Sequence, residues 1–182
     1  MSTESIAVKK PRLPYADPSS PAAAPLAQDL AKARGGHLLN VDLTLLHNPD
    51  LARASREFFR VIRNTFEISD QLRELAICRV AIVTRSPYEW HQHAPIAMAL
   101  GYTKEQLEAL SQSDTPKGFD ALEELVISLA DTMSRDIQVP QRLFDALRRH
   151  FNEKQMVELV AIIASYNYLS RFLEAFEIQV ED

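Results

Sequence analysis

The sequence of 182 residues predicts an all-α fold, and three observations lead to this prediction. Apolar residues recur at helical spacing in several segments, for example Leu51, Phe58 and Ile62. Residue types that favour helix starts and stops flank these segments. The only β-branched run, "VAIV" at 80–83, continues a helical pattern. We therefore expect a bundle of packed helices.

Helix start and stop signals divide most of the chain into predicted helices. Asn48 and Pro49 are typical of an N-cap and a first helical residue, Ser69 and Asn152 are further N-caps, and Gly101 is a stop. The predicted helices are 25–36, 48–66, 69–84, 86–100, a short helix from Thr103, 119–136, 140–151 and 152–176.

The N-terminal segment has a different composition, because residues 1–25 contain five of the ten prolines. Such a segment buries too little apolar surface to offset the entropy lost on ordering. We expect residues 1–25 to form a largely extended or disordered arm, either loose or laid across another subunit. Residues 26–182 are expected to form the helical domain.

Composition and charge exclude several function classes. Twenty Lys and Arg residues against 25 Asp and Glu give a formal net charge of −5, which is not the footprint of a nucleic-acid-binding protein. No uninterrupted apolar stretch reaches the roughly 18 residues of a membrane span, and the N-terminus lacks the apolar core of a secretory signal. The single cysteine, Cys78, lies in an apolar run and is predicted to be a buried, inert thiol. We expect a cytoplasmic protein with no membrane or nucleic-acid partner.

The last predicted helix is apolar on more than one face between Met156 and Leu173. Such a helix is deeply buried, so we expect it to be the central core helix and to lie in a subunit interface. Its polar residues Tyr166, Asn167 and Arg171 need partners there. Interhelical hydrogen bonds are the first interpretation, and a position facing a site is the alternative.

The segment "SPYEWHQHAPIA", which begins at Ser86, concentrates the candidate chemistry. Ser86 and Glu89 have the spacing of a capping box, with a proline at the first helical position. Capping does not account for His93, which lies four residues after Glu89 on the same helix face. It also does not account for Pro95, which should leave a carbonyl unpaired and kink the helix.

The preceding predicted helix adds Glu74, whose carboxylate is costly to bury in an apolar run unless it is paired. If the two helices are antiparallel, Glu74 and His93 approach each other. A histidine between Glu74 and Glu89 would have a fixed tautomer and would suit proton transfer near neutral pH. From the pattern alone, a catalytic and a structural role are equally supported.

Glu74, an eleven-residue gap, Ser86 to Glu89 and then His93 resemble the signature of the AhpD-like alkylhydroperoxidase and carboxymuconolactone decarboxylase superfamily. The resemblance extends over roughly residues 45–175. It implies an all-α fold built around a helical hairpin and assembled as trimers or hexamers. It also implies Glu74 and His93 as parts of a proton relay.

Two cysteines of the thiol peroxidase members are matched here by Ser86 and Glu89, so the peroxide-reducing mechanism lacks its nucleophile. The sequence is more similar to the decarboxylase-like branch without cysteines. This resemblance implies a cofactor-independent acid/base enzyme that uses His93, tuned by Glu89 and Glu74. Its expected substrate is a small carboxylated lactone or keto acid, with isomerisation or hydration as related reactions. Peroxidase activity by family membership and a non-catalytic oligomeric scaffold are the alternatives.

Six residues are weaker candidates for substrate binding: Ser86, Tyr88, Trp90, His91, Arg79 and Asn167. Arg79 could capture an anion, whereas His91 points about 160° away from His93 on a helix and is better interpreted as a surface or interface residue. A metal site made of Glu74, Glu89 and His93 would resemble half of a di-iron bundle site. Its second Glu-x-x-His element is missing, so we expect neither metal nor cofactor.

Overall fold

The structure, a computed structural model, describes residues 10–112 and 116–181. In these ranges the chain forms nine α-helices and no strand, which confirms the all-α prediction. The helices are α1 Ala24–Ala33, α2 Asn40–Leu45, α3 Pro49–Asn64, α4 Asp70–Thr84, α5 Pro87–Ala99, α6 Lys104–Gln112, α7 Ala121–Arg135, α8 Gln141–Arg148 and α9 Glu153–Phe176. Within the described ranges, no helix has both the length and the apolar character needed to cross a membrane.

Helix α2 is the one described helix that the sequence analysis did not predict. It has only six residues, which is too short for an apolar periodicity to show. Its N-cap is Leu39, which has no side-chain acceptor, and the Asp42 carboxylate instead accepts a hydrogen bond from the Leu39 N–H at 3.0 Å. Asp42 also pairs with Arg34 at 2.7 Å, so this short helix depends on side-chain contacts rather than on propensity.

The described chain divides into two compact units, one made of residues 10–57 and 173–181 and the other of residues 58–172. The boundary between an arm of residues 1–25 and a domain of residues 26–182 stays a prediction. The second unit contains all the candidate catalytic and substrate-binding residues. The candidate chemistry therefore lies within residues 58–172.

In the first unit, the proline-rich segment bonds to its own chain. The Arg12 backbone N–H donates to the Phe176 carbonyl at 2.9 Å, and the Arg12 guanidinium donates to Glu177 at 3.0 Å. The Tyr15 hydroxyl accepts a hydrogen bond from the Gln179 N–H at 3.2 Å. From residue 10 onward, this segment thus makes hydrogen bonds to the C-terminal residues of its own chain, and its contact with another subunit stays a prediction. Residues 1–9 of the predicted arm lie outside the described residues.

Helix α9 supplies the centre of the core in the second unit. Leu159, Ile162 and Ile163 are fully buried and pack in one apolar cluster with residues of α4 and α7. This position confirms the prediction of a central core helix. The helix is less uniformly buried than its composition suggested, because Val157 and Tyr168 are 69% and 46% exposed. Its place in a subunit interface stays a prediction.

Helices α4 and α5 form the hairpin that carries the candidate chemistry. They are joined by only two residues, and the first of these, Arg85, adopts a left-handed conformation with a φ of 56°. The Ser86 N–H donates to the Ala81 carbonyl at 2.8 Å and closes the end of α4. Helix α5 then runs from Pro87 to Ala99 as one helix through Pro95. This short link brings side chains of the two helices face to face.

A buried ion pair joins α4 to α7. The Arg79 guanidinium, 1% exposed, donates to both carboxylate oxygens of Asp131 at 2.6 and 2.8 Å. It also donates to the Leu110 carbonyl at 2.7 Å. A bidentate arginine in this position fixes both the spacing and the register of the two helices.

We predict that Arg79→Leu lowers the free energy of unfolding by about 3 kcal/mol, because it leaves the largely buried Asp131 without its main partner. Chemical unfolding followed by circular dichroism measures this change. Lys104→Ala, which breaks an exposed pair with Glu108 at 3.6 Å, is the control and should have no measurable effect. Equal stability of the two variants would contradict the structural role of Arg79.

Candidate functional site

The candidate site is built on a hydrogen bond between His93 of α5 and Glu74 of α4. His93 Nδ1 lies 2.6 Å from Glu74 Oε2. Both residues are buried, with exposed fractions of 8% and 2%. A short contact to a carboxylate at Nδ1 fixes the orientation of the imidazole ring and places a proton on that nitrogen. The hairpin therefore brings together the two residues that the spacing suggested.

Glu89 approaches the other nitrogen of the same ring. Its Oε2 lies 3.5 Å from His93 Nε2, and the residue is 3% exposed. This separation is longer than a firm hydrogen bond. Nε2 is thus the less constrained nitrogen, with a carboxylate oxygen beside it. The arrangement gives His93 one nitrogen with a short hydrogen bond and one with a longer contact.

Arg73 completes the charge balance of the site, and the sequence analysis did not identify it. Its Nε donates to Glu74 Oε1 at 3.3 Å, and its Nη1 donates to Asp70 at 2.6 Å. The two buried carboxylates of Glu74 and Glu89 therefore lie beside the Arg73 guanidinium and the His93 ring. The i,i+3 spacing from Asp70 signals part of this network. The contact between Arg73 and Glu74 joins neighbouring residues, and no helical spacing rule predicts a contact of this kind.

Tyr166 of α9 packs against the histidine. The two ring centroids are 5.0 Å apart and the rings are nearly perpendicular, at 89°. On its other side, Tyr166 makes an edge contact with Phe59 at 5.6 Å. This geometry places Tyr166, which the sequence analysis left between an interhelical role and a site-facing role, in direct contact with the candidate catalytic ring.

Ser86 does not form the predicted capping box. It is the N-cap residue of α5, but its side chain makes no capping hydrogen bond. In a capping box, the Ser86 N–H donates to the Glu89 carboxylate. Here the Ser86 N–H donates instead to the Ala81 carbonyl. Among the described residues, the Ser86 hydroxyl is buried and has no hydrogen-bond partner. Ser86 and Glu89 are therefore not engaged in capping, and Glu89 is directed to His93.

The Cys78 thiol lies beneath the site and is fully buried. Burial raises the pKa of this thiol well above its ordinary range, and the Glu74 and Glu89 carboxylates raise it further. A thiol in this environment stays protonated and is a poor nucleophile. The prediction of a buried, inert cysteine agrees with this geometry.

Three of the six weaker candidates make other contacts or are exposed. Arg79 is committed to Asp131, and Asn167 donates to Ser134 of α7 at 2.8 Å. Both side chains are thus held by contacts within the fold, and their role in substrate binding stays a prediction. His91 is exposed on the opposite side of α5 from His93.

The two aromatic candidates of α5 differ in burial. Tyr88 is 2% exposed, whereas Trp90 is half-buried and packs against a second apolar cluster that contains Leu75 and Leu110. Among residues 10–112 and 116–181, no group of three or more His, Cys, Asp and Glu side chains is placed to hold a metal ion. The buried chemistry therefore centres on the imidazole and its two carboxylates.

Comparison with known proteins finds a family model that matches part of the chain. Residues 49–131 match the sequence profile of the Carboxymuconolactone decarboxylase family. The matched segment includes Glu74, Glu89 and His93, and it confirms the resemblance drawn from their spacing. Among curated proteins, no sequence matches the chain.

Solved structures share the fold over most of the chain. An uncharacterized peroxidase-related protein from Silicibacter sp. TM1040 is 18% identical, with a TM-score of 0.81 over 96% of this chain and 95% of the other. A peroxidase-related protein with an alkylhydroperoxidase AhpD core, from Ralstonia eutropha JMP134, is 18% identical, with a TM-score of 0.82 over 94% and 93%. The debrominase Bmp8 is 25% identical, with a TM-score of 0.72 over 88% and 87%. These likenesses establish the AhpD-like helical fold.

We predict that the folded protein does not react with iodoacetamide at mildly alkaline pH, because the raised pKa of Cys78 keeps the thiol protonated and burial blocks access. Intact-mass spectrometry measures the adduct. The same chain unfolded in denaturant is the control and should gain one adduct. Rapid alkylation of the folded protein would contradict the description of Cys78.

Proposed function

Because residues 49–131 match the carboxymuconolactone decarboxylase family, we propose that the protein is a cofactor-independent acid/base enzyme. Its substrate class is a small carboxylated lactone or keto acid, and its reaction is decarboxylation or a related proton transfer. The observation that carries this proposal is the buried imidazole of His93 between two carboxylates, at 2.6 Å from Glu74 and 3.5 Å from Glu89.

The two contacts of His93 support a division of roles. Glu74 holds Nδ1 and, through Arg73, is itself held in place. Nε2 then faces the side on which a proton is exchanged, and Glu89 stabilises the protonated ring there. A base oriented by a second group in this way is the arrangement used for general acid/base catalysis on many folds.

The chemistry of decarboxylation fits these groups. When a β-keto carboxylate loses CO₂, the C–C bond breaks and its electron pair moves into the neighbouring carbonyl as an enolate. His93 then delivers the Nε2 proton to the carbon, and the enolate returns to the carbonyl. A proton from solvent restores the ring, so the reaction consumes one proton and needs no metal or organic cofactor.

The Ser86 hydroxyl supports the same proposal. It is buried at the start of α5, on the face that carries Glu89 and His93 three and seven residues later. A donor at a helix N-terminus stabilises negative charge on a bound carboxylate or enolate. We keep Ser86 as a substrate-binding candidate on this basis.

The neighbouring structures define how wide a substrate panel should be. The debrominase Bmp8 has a variant solved in complex with 2,3,4-tribromopyrrole, so small halogenated pyrroles belong in the panel beside lactones and keto acids. A thiol-dependent peroxidase mechanism is not supported here, because Ser86 and Glu89 occupy the cysteine positions and the Cys78 thiol has a raised pKa.

We predict that His93→Gln lowers turnover by at least about 100-fold, because it removes the proton-transfer group while keeping a side chain of similar polarity. Substrate consumption across the panel measures turnover, and circular dichroism checks that the fold is retained. His91→Gln, two residues away on the exposed side of α5, is the matched control and should keep normal turnover. Full activity of His93→Gln would refute the proposed mechanism.

We also propose that the protein self-associates as a trimer or hexamer. Exposed apolar side chains support this, with Ile96 and Met98 of α5 at 44% and 50% exposure and Val157 and Tyr168 of α9 at 69% and 46%. Multi-angle light scattering should give a mass of three or six chains. A stable monomer at micromolar concentration would exclude this assembly.

A further inference from the structure

The hydroxyl of Tyr166 is buried but has no hydrogen-bond partner among the described residues. The residue is 1% exposed, so bulk water does not replace a missing partner. A buried polar group without a hydrogen bond destabilises the fold, and a group of this kind calls for a specific explanation. Phenylalanine would make the same ring contacts with His93 and Phe59 without this disadvantage. Packing alone therefore does not explain the hydroxyl.

The Tyr166 hydroxyl is also kept neutral. Burial raises the pKa of the phenol far above its ordinary range, and the Glu89 and Glu74 carboxylates raise it further. The Arg63 guanidinium opposes part of this rise, through its charge and its approach to the hydroxyl. The phenol therefore remains an O–H donor throughout the neutral and mildly alkaline range. Its electrostatic coupling to both carboxylates agrees with a place at the same site.

Two arginines of α4 are already committed to carboxylates, whereas the Ser86 hydroxyl is a second unpartnered donor, at the start of α5. Arg73 donates to Glu74 and Asp70, and Arg79 donates to Asp131. The two carboxylates of the site are acceptors and repel developing negative charge. A substrate that becomes an enolate needs a donor at its oxygen, and a preorganised donor in a buried site is the usual solution. The Tyr166 hydroxyl is a neutral donor on a ring that touches the imidazole.

We propose that Tyr166 is a further catalytic residue, whose hydroxyl donates a hydrogen bond to the substrate oxygen that becomes negatively charged while His93 exchanges the proton at carbon. This inference rests on the proposed function and assigns the oxygen-binding group of the same site. The ligand class it implies is a small molecule with a carbonyl or enolate oxygen next to the reacting carbon.

The variant that tests this role is Tyr166→Phe, which keeps the ring and removes only the hydroxyl. On a substrate that the wild type consumes, kcat/KM should fall about 100-fold, mainly in kcat, as it does on loss of an oxyanion-hole donor. The shape of the pH profile should be unchanged, because Glu74, Glu89 and His93 are intact. Tyr102→Phe, which alters another buried tyrosine packed on Phe119 in a different cluster, is the control and should keep full activity.

A binding experiment tests Tyr166 independently of turnover. The probe is 4-nitrophenolate, whose delocalised anionic oxygen resembles that of an enolate. We expect it to bind the wild type and the Tyr102→Phe protein equally and the Tyr166→Phe protein at least about 10-fold more weakly, in titrations followed by absorbance. Equal binding to all three proteins, or no binding to the wild type, would overturn the assignment. Failure of the whole substrate panel with retained Tyr166-dependent binding would instead reject only the proposed reaction.

Thermal unfolding separates this role from a structural one. Because the hydroxyl has no partner in the described structure, Tyr166→Phe should melt at the same temperature as the wild type or higher. A lower melting temperature would mean that the fold itself uses the hydroxyl, and this result would overturn the assignment.

Discussion

Two carboxylates buried around one imidazole are the constraint on which the rest of this structure depends. Each of Glu74 and Glu89 would cost several kcal/mol to bury alone. His93 and Arg73 make their burial tolerable, and both act only in the correct geometry. The two-residue link between α4 and α5, the buried pair from Arg79 to Asp131 and the central position of α9 all serve to keep that geometry. The fold can thus be understood as a support for a small group of charges.

The order of most helices along the chain and the contact between Glu74 and His93 were predictable from the sequence. Long helices can be predicted from the spacing of their apolar residues and from their N-caps. One such N-cap is Ser69, whose side chain accepts a hydrogen bond from the Leu72 N–H at 3.3 Å. The pairing of Glu74 with His93 followed from the cost of a lone carboxylate in an apolar helix. Both inferences use local periodicity together with one strong energetic penalty.

Features that depend on competition between partners were not predictable. Ser86 and Glu89 have the spacing of a capping box. In the hairpin turn, however, the Ser86 N–H donates to the Ala81 carbonyl rather than to Glu89. Arg79 is as suitable for a substrate anion as for Asp131 until the position of α7 is known. Tyr166 has no sequence signal that separates an interhelical hydroxyl from one left without a partner. Such choices are made by tertiary contacts, which no spacing rule contains.

The proline-rich segment has a consequence for how the protein is handled. Arg12 donates from its backbone to the Phe176 carbonyl and from its side chain to the Ala175 carbonyl, at 2.9 and 3.2 Å. These carbonyls belong to the last turn of α9, where helical partners are lacking. The N-terminal segment is therefore a C-terminal cap for the helix that carries Tyr166. Affinity tags or truncations that disturb Arg12 would fray the C-terminal end of α9. Recombinant versions should therefore leave the residues around Arg12 unaltered.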